Sequence, residues 1–347
     1  MRLVKLVSLG WICFVSCLLN SQMMQPAIPL PLDGEPRLTQ VPPSAVLGSP
    51  QCDSLGAIYV RYAAPANGSS GSSIARIEAD GSTQMVSLDP LPGSSGDGHP
   101  FIFSTDSDGS FHEILRAPAP DHRDSAAGDI EYVRFDSDGA VRSEAAFAEE
   151  FIPFALLPLP SGSFFAAGVT LQPANGEVAE SPLVGIFGPD AVLQRRLRSD
   201  SSTATRANGN ADGEDISDAV LHAQTVRLGD DGNLYLLLAG EHAEVAVATQ
   251  AGQITRKLAL QEPFGIDVAS DMWVSGNRLL VVYEGEANDP KDAFVYMLYD
   301  AQSGELIRAY KPEFSGTVAC FQDGQTLSVL VRQQASGTVG LSTAELR

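Results

Sequence analysis

The chain has little tryptophan, little cysteine and little charge. Two Trp, four Cys and 19% Asp, Glu, Lys and Arg are spread over 347 residues. Positive charge is the scarcest: 22 Lys and Arg stand against 43 Asp and Glu, for a formal charge of −21. A surface that binds phosphates works by clustering Lys and Arg to displace counterions. The densest basic run here is Arg195, Arg196 and Arg198, read as a solvated face of one exposed strand. Nucleic acid is therefore excluded as a partner, and adsorption to anionic lipid is disfavoured on the same ground. The chain also lacks a Gly-rich phosphate loop, H-E-x-x-H, C-x-x-C and G-x-S-x-G. No helical pattern of about 10–15 residues separates its apolar segments, which removes parallel α/β folds. Apolar residues, at 44%, are not lacking, so a packed core is expected rather than disorder. Turn formers are abundant too, with 32 Gly and 22 Pro.

The first residues have the order of an export signal. Arg2 and Lys5 form a basic start, Leu6 to Leu19 is uncharged and mostly apolar, and a polar, Pro-containing exit follows. That run is too short to span a bilayer comfortably but suits a signal-peptide core. No later run is long enough to span, so no transmembrane segment is expected. Residues 1–21 are read as the signal, and loss of its two cations takes the remaining chain to −23. Phe14-Val15-Ser16-Cys17 is a degenerate lipoprotein box, which makes Cys17 a lipidation candidate and a lipid anchor the alternative to free export. Cys13 and Cys17 fall inside the signal, leaving Cys52 and Cys320. In an oxidising compartment such an isolated pair is a disulfide candidate.

A unit then recurs: a glycine turn, an apolar strand, a loop, a second apolar strand, another turn and a more polar strand. Its first-turn glycines are Gly56, Gly109, Gly162, Gly232, Gly276 and Gly324. Asp-Gly and Ser-Gly between apolar runs are hairpin turns, because glycine supplies the positive φ that a tight turn needs. The strand after each turn, such as LYLLLAG after Asp231-Gly232 or LLVVYEG after Ser275-Gly276, is apolar on both faces. A strand covered on both sides has this composition, whereas a half-solvated sheet alternates. The repeat length, near 50 residues, fits a four-stranded blade.

These units resemble the blades of six-bladed β-propellers, in the broad group of NHL-type and TolB-type repeat proteins. The resemblance rests on the D-x-D-G or x-S-G turn with its apolar strand, and on the second turn (Phe135-Asp136-Ser137-Asp138-Gly139). It also rests on Pro263 to Val268 and Pro100 to Phe103, which are similar to innermost strands. It covers most of residues 46–347. It implies an all-β ring of antiparallel blades and says almost nothing of function, since such folds host many. The sixth unit ends at Arg347 without an outermost strand. A strand from the Pro-rich segment 22–45, around Pro36 to Val41, is expected to supply it and close the ring. Cys52 and Cys320 each lie four residues before the first-turn glycine of their unit, so closure makes them neighbours.

Candidate chemistry is thin. His99 and His222 each lie ten residues before a first-turn glycine, which places both near one mouth of the channel. With Asp106 and Asp267 they are the channel-mouth candidates. A metal there needs a further ligand and close approach, so no cofactor is expected. The run Asn208 to Asp218 opens like a calcium loop but has Ala219 where the chelating Glu belongs, and reads as an acidic insertion. Two functions remain. One is an extracytoplasmic binding or scaffold module offering loops and a channel to a protein or small ligand. The other is a hydrolase or lyase with a divalent metal at the channel mouth. The lack of a convergent catalytic motif favours the first.

Overall fold

The computed structural model describes residues 26–41, 50–63, 72–89, 99–116, 130–148, 150–174, 177–199, 225–238, 242–263, 268–285, 293–333 and 337–347. They form strands and turns, with no helix among the described residues. Two short strands come first, β1 (Ile28–Leu30) and β2 (Arg37–Leu38). Blade 1 is β3 (Gln51–Cys52), β4 (Ile58–Ala63), β5 (Ser72–Ile77) and β6 (Thr83–Ser87). Blade 2 is β7 (His99–Thr105), β8 (Phe111–Arg116), β9 (Ile130–Phe135) and β10 (Val141–Ala146). Blade 3 is β11 (Phe151–Pro158), β12 (Phe164–Ala174), β13 (Glu177–Phe187) and β14 (Leu193–Arg196). A two-residue strand, β15 (Arg198–Ser199), leads on to blade 4, which is β16 (Val226–Leu228), β17 (Leu234–Leu238), β18 (Glu244–Ala248) and β19 (Gln253–Ala259). Blade 5 is β20 (Val268–Ser275), β21 (Arg278–Glu284), β22 (Phe294–Asp300) and β23 (Leu306–Pro312). Blade 6 takes β24 (Thr317–Gln322), β25 (Thr326–Arg332) and β26 (Val339–Glu345) from the end of the chain.

Pairing within each blade is antiparallel and sequential. The innermost strands touch one another in chain order, β3 to β7, β11, β16, β20 and β24, and β24 returns to β3. The result is a closed six-bladed propeller. Six apolar clusters hold it, one at each seam between neighbouring blades. The two-faced apolar strands explain this. Along β17, Leu234, Leu236 and Leu238 pack toward blade 3, while Tyr235 and Leu237 pack toward blade 5. Side chains alternate faces along a strand, so one fully apolar strand serves two seams.

Blade 6 is completed from the other end of the chain. β2 pairs antiparallel with β26, with Arg37 opposite Leu341 and Leu38 opposite Gly340. The preceding β1 adds in parallel to β23 of blade 5, and the Arg37 guanidinium donates to the Ala79 carbonyl of blade 1 at 2.7 Å. Residues 28–41 thus form a belt over blades 5, 6 and 1. Its apolar anchors are Leu30 in the seam between blades 5 and 6 and Val41 in the seam between 6 and 1. The sequence did not announce the parallel additions β1 and β15, which are too short for any periodicity. β20 begins at Val268 among the described residues, and Phe264 to Asp267 of the expected inner strand lie outside them. The basic run is divided between β14 and β15 by buried Leu197.

Candidate functional site: the central channel and the loop face

Four antiparallel strands return the chain to the end of the ring where the blade began. Every first-to-second and third-to-fourth turn therefore lies on one face of the disc. On that face the turns are closed by backbone hydrogen bonds: Gly56 to Asp53, Gly109 to Asp106, Gly139 to Asp136, Gly162 to Leu159, Gly232 to Gly229 and Gly252 to Thr249, all 2.8–3.1 Å. The glycines have φ of 76–90°, which is the left-handed position of a three-residue hairpin loop. The opposite face receives the second-to-third strand connections and the links between blades. These include 64–71, 90–98, 117–129, 200–224 and 286–292, all outside the described residues. One face is uniformly short turns, and the other carries the long, unlike segments.

The candidates from sequence distribute over these two faces. His99 opens β7 at the loop face, whereas Asp106 follows the end of the same strand at the turn face. The length of β7 separates them, so they do not share a site. The Asp106 carboxylate accepts from the Ser107 amide at 2.6 Å and lies 3.9 Å from His112 Nε2. His222, Asp267, Cys17 and the Asn208–Asp218 insertion lie outside the described residues. Cys52 on β3 and Cys320 on β24 are joined by a disulfide with Cα atoms 5.6 Å apart. It ties blade 1 to blade 6 at the innermost strands, where the ring is narrowest.

Sequence reasoning missed the charged residues that the repeat brings to the channel. Arg227 of β16 and Asp271 of β20 form an ion pair at 3.0 Å, with side chains 26% and 36% exposed. Met272 packs toward blade 4 and Trp273 toward blade 6. Arg227, coming from blade 4, nevertheless stacks over the Trp273 ring at 5.5 Å. It reaches that ring by crossing the axial edge of β20, so the guanidinium lies on the channel wall. Asp271 Oδ1 takes both Arg227 Nη2 and the Met272 amide, at 3.0 and 2.8 Å. Burial pushes the Asp271 carboxyl above its usual range, and Arg227 opposes the rise. Beside β16 in the ring, Ile152 and Phe154 of β11 are partly exposed and belong to none of the six seam clusters. Phe154 sits at a register shift between Pro153 and Ala155, and such bulges re-aim side chains. The described channel thus has an apolar wall on blade 3 and a charged one on blades 4 and 5. The signal that could have found the pair was a charge at an inner-strand position otherwise apolar.

Two other polar groups are structural. Glu113 of β8 is 1% exposed and meets Arg61 of β4 at 2.7 Å across the seam of blades 1 and 2. His112 is buried at the turn end of blade 2, its Nδ1 2.6 Å from the Tyr132 hydroxyl. Ser110 and Asp106 both approach its other nitrogen, at 3.4 and 3.9 Å, so the three do not make a relay. A rim cleft of about 200 Å³ between blades 5 and 6 is lined by Arg278, Arg308 and Arg347 over Leu298, Ile307 and Leu346. Arg347 there pairs with Glu345, and Arg308 donates to the Arg347 backbone oxygen. No group of three or more His, Cys, Asp or Glu among the described residues is arranged to hold a metal.

The geometry defines the class: a six-bladed β-propeller with unequal faces and an amphipathic channel. No family model matches the chain, and no curated protein does. Solved structures do. A Bacteroides fragilis protein named "Putative exported protein" is 9% identical, covers 91% of this chain and 96% of its own, and superposes with a TM-score of 0.50. A Dyadobacter fermentans protein of unknown function is 12% identical over 90% of this chain and 98% of its own, with a TM-score of 0.48. At these identities the likeness is one of fold.

Proposed function

We propose that this chain is an exported β-propeller binding module, offering its loop face and channel to a protein or small ligand. The observation that carries this reading is the asymmetry of the disc. Tight hairpins occupy one face, and the segments of unlike length all leave from the other. Loops held on a rigid scaffold are where recognition concentrates. Export is supported by the basic-then-apolar start at residues 1–21 and by the Cys52–Cys320 bond, which belongs in an oxidising compartment. The Bacteroides fragilis neighbour, named as exported, agrees with it. Among the described residues no helix is long and apolar enough to cross a membrane. The blades are assigned to the NHL/TolB-like group on their D-x-D-G turns, as part of the same proposal.

The test is photo-crosslinking from single positions in the native host, read by mass so that protein and small-molecule adducts both register. Val268 and Glu284 are exposed at the loop face; Leu55 and Val192 are exposed at the turn face. Adducts are expected from Val268 and Glu284 and not from the other two. Equal or greater yield from Leu55 and Val192 would overturn the reading.

A further inference from the structure

We infer that the Arg227–Asp271 pair is the polar half of a channel subsite for a neutral, hydroxyl-rich ligand, a carbohydrate unit. The inference rests on the binding reading above and names the ligand class. Hydrogen-bond accounting leads to it. Arg227 spends Nη2 on Asp271 and Nη1 on the Val226 carbonyl, at 3.0 Å each. A guanidinium has five N–H donors, so Nε and one hydrogen on each terminal nitrogen are left over. Asp271 spends Oδ1 twice, and no hydrogen bond reaches Oδ2 among the described residues. Spare donors and a spare acceptor therefore sit side by side on the channel wall.

The pair is electrically neutral as a unit. An anionic ligand would meet Arg227 but face the Asp271 carboxylate; a cationic one would meet the reverse. A neutral group that both donates and accepts satisfies the two together, and a pair of adjacent hydroxyls does so. The Ile152 and Phe154 side chains supply apolar surface in the same channel for the C–H face of a sugar ring. The ion pair also holds its geometry without the ligand, since Trp273 supports the guanidinium from beneath. Little side-chain ordering then remains for binding to supply.

Trp273 also reports. It is one of two tryptophans, the other being Trp11 in the expected signal segment. A ligand that draws on Arg227 alters the cation lying over the Trp273 ring. The full-length protein is titrated with neutral mono- and disaccharides (glucose, galactose, mannose, maltose, cellobiose) and with glucuronate and glucosamine, following tryptophan emission and calorimetric heat. At least one neutral sugar is expected to bind saturably with a change in emission, and the charged analogues at least tenfold more weakly. Arg227→Met and Asp271→Asn should each lower that affinity tenfold or more while circular dichroism is unchanged. Binding of glucuronate or glucosamine in preference overturns the proposal. So does silence from every neutral sugar, or retained affinity in both folded variants. If a variant fails to fold, the emission change in the unaltered protein decides alone. Loop-face crosslinks without sugar binding would defeat this inference and leave the module reading standing.

Discussion

His112 shows what burial between blades does to a single ionisable group. Its ring is enclosed at the seam of blades 2 and 3, and burial, reinforced by the Arg134 charge, lowers its pKa to about 3; Asp108 opposes this. An unfolded histidine titrates near 6.5. Between those values the unfolded chain binds a proton that the folded chain refuses. The stability that this neutral ring contributes is whole above about pH 6.5 and is lost as pH falls toward 3. The slope limit is about 1.4 kcal/mol per pH unit for one group. Glu113 and Asp271 have raised pKa values and act in the opposite sense, from the ordinary carboxylate range upward, so they oppose His112 below about pH 6.5. The His112 contribution is therefore read as the difference between the native protein and a variant without the ring, with thermal midpoints measured from about pH 7.5 to 4.5. His112→Asn should start lower at pH 7.5, having lost the Tyr132 partner geometry, and decline more gently. An unchanged slope in that variant would show that the acid sensitivity arises elsewhere.

The hairpin is the element that the ring repeats, and its glycines are not equivalent. Gly162 turns with φ +80° and an added Cβ would meet nothing within 4 Å. Gly139 has φ +90°, and its Cβ would fall 2.2 Å from the Ser87 carbonyl oxygen of blade 1. Gly162→Ala should cost about 1 kcal/mol, the left-handed penalty alone. Gly139→Ala adds a clash with backbone at a seam and should cost roughly 2–4 kcal/mol. Chemical denaturation of the two variants checks the difference; equal losses would mean that the seam yields. Ala191, at φ 57° in the matching turn of blade 3, shows that the fold accepts the smaller penalty. These hairpins were legible because Asp-Gly between apolar runs is a local code, repeated in register. The closing strand was legible because the sixth unit was one strand short. The parallel strands β1 and β15 were not, since a two- or three-residue edge has no period. Arg227 and Asp271 were hidden for a different reason. They lie 44 residues apart, and what joins them is the convergence of inner strands on an axis that no linear pattern marks.

A closed ring has one seam where chain continuity does not help, and here it falls between blades 6 and 1. Two devices hold it. The disulfide joins residues 268 apart in sequence; in the loop-entropy picture such a link contributes on the order of 5 kcal/mol. The belt supplies β2 to blade 6, places Leu30 and Val41 in the flanking seams, and fastens to blade 1 through Arg37 and through the Gln40 amide on Thr83 Oγ1 at 3.2 Å. Each keeps blade 6 beside blade 1 when the other is absent, so their losses should not add. Removing the disulfide alone (Cys52→Ser with Cys320→Ser) should lower the thermal midpoint by roughly 10 °C. Weakening the belt alone (Leu30→Ala with Val41→Ala) creates two small cavities and should cost about 3–5 kcal/mol. All four substitutions together should cost more than the sum, because the seam can then open and expose the unpaired edges of β24 and β26. The combined protein should also associate as its concentration rises, read by light scattering below the midpoint. Strict additivity in denaturant, with no association, would mean that the six apolar seams close the ring unaided and that belt and bond only decorate it.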